Sequence, residues 1–499
     1  MNAAEPAPQT APASGPVRSE ERSTLARTRQ LVIARGASTV LTFCIPLVLA
    51  RMLNTTQYGT YKQFVLVAQT AYLLLPFGVT QSLYYFLPNG QNRRAYICQT
   101  HLFTGAVAAA AAVVLFVFGA PIATRLGNPG LGAFRGQLGL YAAGLLASLP
   151  FEITFTARGR TGQAAVTYIL SDIARTAAMT LPVLLGWGMA GLTTGLAAWA
   201  TARWVAALLL TVRGETGPAF TRATWSQQWR YALPFGTAML VAVPQNYFHQ
   251  YAVSASVTAA EFAAYSIGCF QLPLVDLLYM PTTEILMVRI GELDAEKRSA
   301  EAAGVFSQAV ARLSQLFLPL ALFLFAAAGD FVPALFSTRY LSAVPIFRVA
   351  VWAIVLSSFP ADGALRARKR TDFILRSYVL KAVVAVPAVI VGIHAWGAFG
   401  AIIGWLLGEV AGKGILLARL PETLAASVRE LLPLRTFAKT LAAGTAAAAA
   451  VALFAWAAPP EKHVARLAFE CLLFAGVHAG VLALLGERPL ALVTSFIRG

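Results

Sequence analysis

The sequence predicts an all-α, polytopic membrane protein with about fourteen transmembrane helices. Three observations support this fold class: 58% of the residues are hydrophobic, only 12% are charged, and apolar runs recur from Leu31 almost to the C-terminus. Soluble proteins have about 25% charged residues, and they need that polar surface to cover a core. A run of about 20 apolar residues is long enough to cross a bilayer. The chain is therefore expected to cross a membrane many times.

Hydropathy gives the approximate bounds of these spans. They are residues 31–52, 60–87, 97–122, 137–157, 164–187, 190–212, 231–253, 261–288, 304–329, 343–362, 373–396, 398–419, 436–457 and 465–485. Residues 1–29 lack apolar periodicity and are rich in Ala, Pro, Ser and Arg, so we expect a disordered cytoplasmic tail. No short apolar core with a cleavage site follows this tail, which argues against a signal peptide.

The net charge of +17 is concentrated in short loops on alternate sides of the spans. Loops with Arg or Lys lie near residues 93–94, 158–160, 222–230, 297–298 and 366–370, whereas those near 54–58, 188–190, 254–260 and 397 hold almost none. The positive-inside rule places the basic loops and both termini in the cytoplasm. The charge is thus a topology signal that favours contact with anionic lipids over nucleic acid.

Several motifs occur twice, separated by roughly 210 residues. "ARGRT" at 157–161 recurs as "ARKRT" at 367–371, "YIL" at 168–170 as "YVL" at 378–380, "WGMAGLTTG" at 187–195 as "WGAFGAIIG" at 396–404, and "QYGTY" at 57–61 resembles "EFAAY" at 261–265. Because this shift spans six helices, an even number, both copies enter the membrane in the same direction. A parallel repeat of this kind occurs in some transporters.

The repeat predicts two six-helix lobes that face each other across a central cavity: an N-lobe at 30–212 and a C-lobe at 231–419. Two additional helices at 436–485 are expected to lie outside the repeat. The repeated glycines have a structural interpretation, because small residues let helices approach closely in lipid. They are Gly188, Gly191 and Gly195 in the first copy and Gly397, Gly400 and Gly404 in the second.

A polar stripe interrupts the apolar segment "LVAVPQNYFHQYAV" at residues 240–253. Gln245, Asn246, His249 and Gln250 fall within an arc of about 140° on a helix. Unpaired polar groups in hydrocarbon cost several kcal/mol, so the stripe must face another helix or a wet cavity. Four polar residues in one stripe favour the wall of a cavity and identify candidate substrate-binding residues.

Charged residues inside the spans are further candidates, since such groups usually mark a substrate or ion path. The basic candidates for binding an anionic substrate are Arg35, Arg175, Arg203, Lys381 and Lys413, and the acidic candidates for ion coupling are Asp172, Asp276 and Glu409. Structural alternatives stay open: Asp172 with Arg175, and Glu409 with Lys413, are spaced to pair on one helix face. Arg35 and Arg203 are alternatively long side chains that reach the cytoplasmic surface.

Signals of catalysis are missing from the sequence. It has no nucleotide-binding loop, no metal-ligand cluster and no nucleophile–base arrangement, and its five histidines are scattered. Its four cysteines fall in or beside apolar segments, without CxxC spacing, and are interpreted as small buried residues. We therefore expect a protein that is not an enzyme and that needs no cofactor and no metal.

The chain resembles the bacterial polysaccharide flippases of the multidrug/oligosaccharidyl-lipid/polysaccharide exporter superfamily. The resemblance rests on the opening "GASTVLTFCIPLVLARMLNTTQYGTYKQF" with its "YG.Y" element, on the repeated "WG..G...G" segments, and on the predicted arrangement of twelve helices plus two. It implies a bacterial inner-membrane protein that moves an undecaprenyl-diphosphate-linked glycan by alternating access, in contact with membrane lipids, a polysaccharide polymerase and a chain-length regulator. It also implies a cationic cavity, with Arg35 as a first-helix basic residue.

Other functions are compatible with parts of the sequence. A drug/cation antiporter of the same superfamily would rely on acidic residues such as Asp172 and Asp276, although such proteins usually have twelve helices. An integral-membrane glycan polymerase or ligase usually carries a large periplasmic loop, which this sequence lacks. A non-transporting scaffold would show the repeat without a hydrated cavity.

Overall fold

The computed structural model describes residues 43–88, 91–457 and 463–487, and the chain is helical throughout this part. The α-helices are α1 (Phe43–Met52), α2 (Thr55–Leu74), α3 (Ser82–Phe86), α4 (Arg93–Arg125), α5 (Arg135–Ala147), α6 (Pro150–Ala157), α7 (Thr161–Leu184), α8 (Gly188–Val212), α9 (Arg222–Ser256), α10 (Ala259–Gly268), α11 (Pro273–Ala295), α12 (Ala302–Ala326), α13 (Ala328–Leu335), α14 (Val344–Ala350), α15 (Trp352–Leu356), α16 (Ala361–Ala367), α17 (Thr371–Leu424), α18 (Val428–Leu431), α19 (Leu434–Ala457) and α20 (His463–Leu484). Short 3-10 helices lie at Pro129–Phe134, Ser299–Glu301 and Thr338–Ala343. The predicted all-α class is confirmed for these residues.

Within the described ranges, eight helical segments are long and apolar enough to cross a membrane. The pair α10 and α11, bent by 46°, makes a ninth when it is counted as one span. These segments support a multi-pass membrane protein. The number of about fourteen spans, the two-lobe layout and the lobe boundaries stay predictions.

Two of the predicted boundaries are wrong. The span predicted at 60–87 already ends at Leu74, because Pro76 follows and the next two residues have positive φ angles. The span predicted at 231–253 begins at Arg222, so the basic residues expected in the preceding loop lie on α9 instead. Gln228 on this additional part donates hydrogen bonds to hydroxyls of α3 and α4, which explains why the helix extends so far.

The sequence repeat corresponds to two similar helical hairpins. One is formed by α7 and α8, and the other by the two halves of α17, which separate at a non-helical break at Gly397. A Cβ atom added to Gly195 would lie 2.0 Å from the carbonyl oxygen of Ala178, and one added to Gly400 would lie 2.0 Å from that of Gly392. The predicted role of the repeated glycines in close helix packing is confirmed at both positions.

Matching backbone conformations also mark the two copies. Gly188 and Gly397, in the two Trp-Gly motifs, have φ angles of 55° and 60°. Gly159 and Lys369, in the two Arg-rich motifs, have φ angles of 71° and 58°. Glycine adopts this left-handed region without steric cost, whereas lysine rarely does. The second copy therefore keeps the turn of the first although its residue is less suited to it.

The helices that carry the motifs at 57–61 and 261–265, α2 and α10, pack directly against each other. A Cβ atom added to Gly59 would lie 1.7 Å from the carbonyl oxygen of Ala259, so the two backbones are in contact. Next to this contact, Gln63 donates a buried hydrogen bond of 2.8 Å to the Ser254 hydroxyl of α9. The packing joins the predicted N-lobe and C-lobe at the end of the molecule away from the basic loops, called here the opposite end.

Candidate functional site

A cavity of about 550 Å³ lies between α2 on one side and helices α9, α10, α11, α14, α15 and α17 on the other. From the contact with α10, α2 continues along the cavity and contributes Lys62 and Gln69 to its wall. The first of these helices belongs to the predicted N-lobe and the others to the predicted C-lobe. The cavity is therefore lined by residues from both predicted lobes.

Three of the four residues of the polar stripe line this cavity: Asn246, His249 and Gln250. His249 Nδ1 and the Tyr265 hydroxyl share a hydrogen bond of 2.6 Å, which fixes the imidazole against α10. Gln245 is outside the lining, and neither polar atom of its buried side chain has a hydrogen-bond partner among the described residues. The stripe thus forms cavity wall along most of its length, with one residue turned into the helix packing.

Lys62 is a cavity residue that the sequence reasoning missed. Its side chain is half-buried, and its ammonium lies 6.0 Å from the centre of the Tyr58 ring. Among the described residues it forms no ion pair, which makes it a cation available to a ligand. The available signal was a lone lysine two turns inside an apolar helix.

Lys381 lies directly behind the cavity wall, where it joins α9 to both halves of α17. Its ammonium forms an ion pair of 2.5 Å with Glu409 and donates a hydrogen bond of 3.0 Å to Asn246 Oδ1. Glu409 and Asn246 line the cavity, whereas Lys381 is buried and is not part of the lining. The glycine-lined contact within α17 brings the two charged residues together from opposite halves of the hairpin.

The pairing considered for Glu409 with Lys413 is therefore wrong. Lys413 instead donates hydrogen bonds of 3.0 Å to the Phe359 carbonyl oxygen and of 3.3 Å to the Tyr279 hydroxyl. Spacing along one helix suggested the pair, but the antiparallel half of α17 places a closer partner beside the carboxylate. Lys413 lies outside the cavity lining.

Arg203 does not reach for the surface as one alternative supposed. Its guanidinium forms an ion pair of 2.7 Å with Glu152 and donates hydrogen bonds to two serine hydroxyls. Arg175 and Asp172 form the expected pair at 3.0 Å. Both guanidinium groups form cation–π contacts with Trp199, at 5.8 Å from the ring centre for Arg175 and 5.7 Å for Arg203. These charges join α6, α7 and α8 and lie outside the cavity lining.

The charge balance of the described wall differs from the expected net-basic chamber. The lining includes one cation, Lys62, and two carboxylates, Asp276 and Glu409, and Asp276 forms no ion pair among the described residues. Asp276 is in the first turn of α11, directly after the break that separates α10 from α11. Arg35, the remaining predicted basic residue, lies outside the described residues. The sequence could not show that Arg175, Arg203 and Lys381 each form an ion pair with a nearby carboxylate.

Comparisons with known proteins agree with this architecture. A family model described as "polysaccharide biosynthesis protein" matches residues 48–345, which is more than half of the chain. None of the curated proteins matches the chain at a significant level.

Among solved structures, the fold is similar to that of the lipid II flippase MurJ in an inward closed conformation. The TM-score is 0.74 at 11% identity, covering 92% of this chain and 99% of the other. An inward-facing multidrug resistance transporter of the MATE family matches with a TM-score of 0.62 at 14% identity, covering 78% and 95%. A MOP superfamily transporter from Pyrococcus furiosus matches with a TM-score of 0.54 at 12% identity, covering 81% and 96%. At these identities the likeness shows the fold alone.

Proposed function

We propose that this chain, which belongs to the polysaccharide biosynthesis protein family, is a flippase for an undecaprenyl-diphosphate-linked oligosaccharide repeat unit. It would move this unit across the bacterial inner membrane by alternating access, for the assembly of O-antigen, capsule or exopolysaccharide. The proposed orientation keeps the basic loops and both termini in the cytoplasm. A polysaccharide polymerase and a chain-length regulator are the proposed partners.

The observation that carries this proposal is the polar cavity between helices of the two repeat copies. A charged, hydroxyl-rich head group cannot cross the hydrocarbon unaided, because burying charge and unpaired polar groups there is costly. A cavity of about 550 Å³ is within the range of small-molecule sites and can receive the diphosphate with adjoining sugar. The isoprenoid chain is apolar, so it can stay in the bilayer during the movement.

We assign the head-group contacts to side chains that line the cavity. Lys62 is placed to attract the diphosphate, because no carboxylate among the described residues pairs with it. Asn246, His249 and Gln250 offer amide and imidazole groups that suit sugar hydroxyls. Arg175, Arg203 and Lys413 are assigned to helix packing instead, since their described partners already bind them.

Deletion of the gene in the native host tests the function. We expect lipid-linked repeat units to accumulate on the cytoplasmic leaflet and surface polymer to be lost, with both effects reversed by the wild-type chain. Leaflet location can be measured by the access of a membrane-impermeant lectin or glycosidase in oriented vesicles. Unchanged surface polymer together with an unchanged leaflet distribution would contradict the proposal.

A drug/cation antiporter is the second candidate, and the two carboxylates on the cavity wall favour it. An antiporter of this kind predicts increased drug accumulation in the deletion strain while surface polymer stays normal. A polymerase or ligase predicts a third result: lipid-linked units cross to the periplasmic leaflet but are not joined. The same strain therefore separates all three functions.

A further inference from the structure

Glu409 stands between the cavity and the buried ammonium of Lys381. We propose that Glu409 shields Lys381 until it takes up a proton, so that binding of an anionic diphosphate in the cavity is linked to protonation of this carboxylate. This inference rests on the proposed function and specifies how its substrate site is controlled. One proton moves from the cavity water to Glu409 for each anion that binds Lys381.

The geometry makes Glu409 the movable member of the pair. Its side chain is 26% exposed on the cavity wall, whereas that of Lys381 is 11% exposed. The stem of Lys381 is confined by Gly412, where an added Cβ atom would lie 3.1 Å from Lys381 Cβ. The ammonium uses two of its three N–H donors, one on Glu409 and one on Asn246. Rotation of Glu409 into the cavity would therefore expose a cation that is already positioned.

Electrostatics give the direction of the linkage. An anion that enters the cavity meets the Glu409 carboxylate before it reaches Lys381, and like charges at close range repel. Protonation removes that repulsion and leaves a buried cation without its counter-charge, which is costly. A diphosphate oxygen that binds the ammonium offsets this cost. Because coupling between two ligands is reciprocal, the anion favours the proton and the proton favours the anion.

Other titratable and charged groups line the same cavity or lie beside Lys381 and Lys413, but the structure gives most of them different partners. They are Lys381 and Lys413 on α17, His249 on α9, Lys62 on α2, Asp276 and Tyr279 on α11, and Asp362 on α16. Lys413, Tyr279 and Asp362 contact one another, and His249 contacts Tyr265. Asp276 is the remaining carboxylate of the described wall and serves as the comparison residue below.

Binding of farnesyl diphosphate to the purified full-length protein tests the inference. The affinity of wild type, Glu409→Gln, Asp276→Asn and the double variant Glu409→Gln/Lys381→Met is measured by calorimetry from about pH 6 to pH 8. For the wild type we expect affinity to fall as the pH rises, by up to about tenfold per pH unit. Buffers with different ionisation enthalpies should report net proton uptake. Ionisation of the diphosphate itself has the opposite effect on affinity, because the ligand becomes more negative as the pH rises and is attracted more strongly to Lys381.

The variants should separate the contribution of the Glu409 carboxylate from that of the Lys381 ammonium. Glu409→Gln should keep the low-pH affinity of the wild type and lose its decline with pH, and the additional Lys381→Met change should weaken binding about tenfold or more. Glu292→Gln, which makes the same change in an exposed ion pair with Arg289, should behave as wild type. Thermal unfolding of each variant checks that the fold is intact.

Three results would overturn the inference: a wild-type pH profile in Glu409→Gln, a flat profile in Asp276→Asn, or a double variant that binds as tightly as Glu409→Gln. Wild type that does not bind the diphosphate at any pH would also overturn it. The proposed function is tested separately by the leaflet distribution in the deletion strain. A chain that corrects that distribution but gives any of these results retains its function without this control.

Discussion

At the scale of single residues, the sequence shows which charges lie within apolar segments but not which groups surround them. Arg203 and Lys62 are both lone cations in apolar helices, yet one is bound by Glu152 and two serines while the other lines the cavity. The groups around each cation come from other helices, so no local pattern distinguishes the two residues. The polar stripe was predictable because residues such as Asn246 and His249 share one helix face.

Lys62→Met should weaken transport of the lipid-linked unit by about 10- to 100-fold, because a charge-assisted hydrogen bond contributes about 1.5–3 kcal/mol. Lys62→Arg keeps the charge and should retain much of the activity. The measurement is the rate at which surface polymer reappears after induction, at matched protein levels in the membrane. Arg429→Met, at an exposed cation on α18, is the control. Equal rates for Lys62→Met and Arg429→Met would remove Lys62 from the substrate path.

At the scale of helices, the repeat was predictable from sequence and the interruptions were not. Matching glycines revealed both hairpins because close packing restricts a residue to the smallest side chain. The break between α10 and α11 lies at residues 269–272. Gln271 is the only hydrophilic side chain in this stretch, so no polar or charged run marks the break. Hydropathy averages over such short turns, so it joined two helices that are bent by 46°.

Gly400→Ala should destabilise the second hairpin by at least about 1–3 kcal/mol, the usual range for overpacking. The added Cβ atom would lie 2.0 Å from the Gly392 carbonyl oxygen, a backbone atom that can yield only if the halves of α17 separate. Gly414→Ala, on the same half with no atom within 4 Å of its added Cβ, is the matched control. Thermal unfolding in detergent should show a lower midpoint for the first variant alone, and equal midpoints would contradict the packing argument.

At the scale of the whole molecule, reciprocal arginine contacts join the two halves of the described chain at the opposite end. Arg339 donates hydrogen bonds to the carbonyl oxygens of Arg51, at 2.7 Å, and Leu53, at 3.2 Å, at the end of α1. Arg51 in turn donates to the carbonyl oxygen of Ala334, near the end of α13. Each arginine thus lies at the negative end of a helix from the other half of the chain. The alternating access proposed above would require these reciprocal contacts to break.

Arg339→Gln should therefore shift the population toward conformations that are open at the opposite end. Spin labels at Thr56 and Leu341, in a cysteine-free background, would report the separation of the two halves by pulsed electron resonance. We expect an additional population at longer distance, because the lost contacts stabilise only the closed state and a few kcal/mol separates such states. Arg348→Gln removes a similar bond, from Arg348 to the Phe325 carbonyl oxygen, that stays within one half of the chain, so its distances should match the wild type. If Arg339→Gln also keeps the wild-type distribution, the closure depends on the backbone contact of α2 with α10 rather than on the arginines.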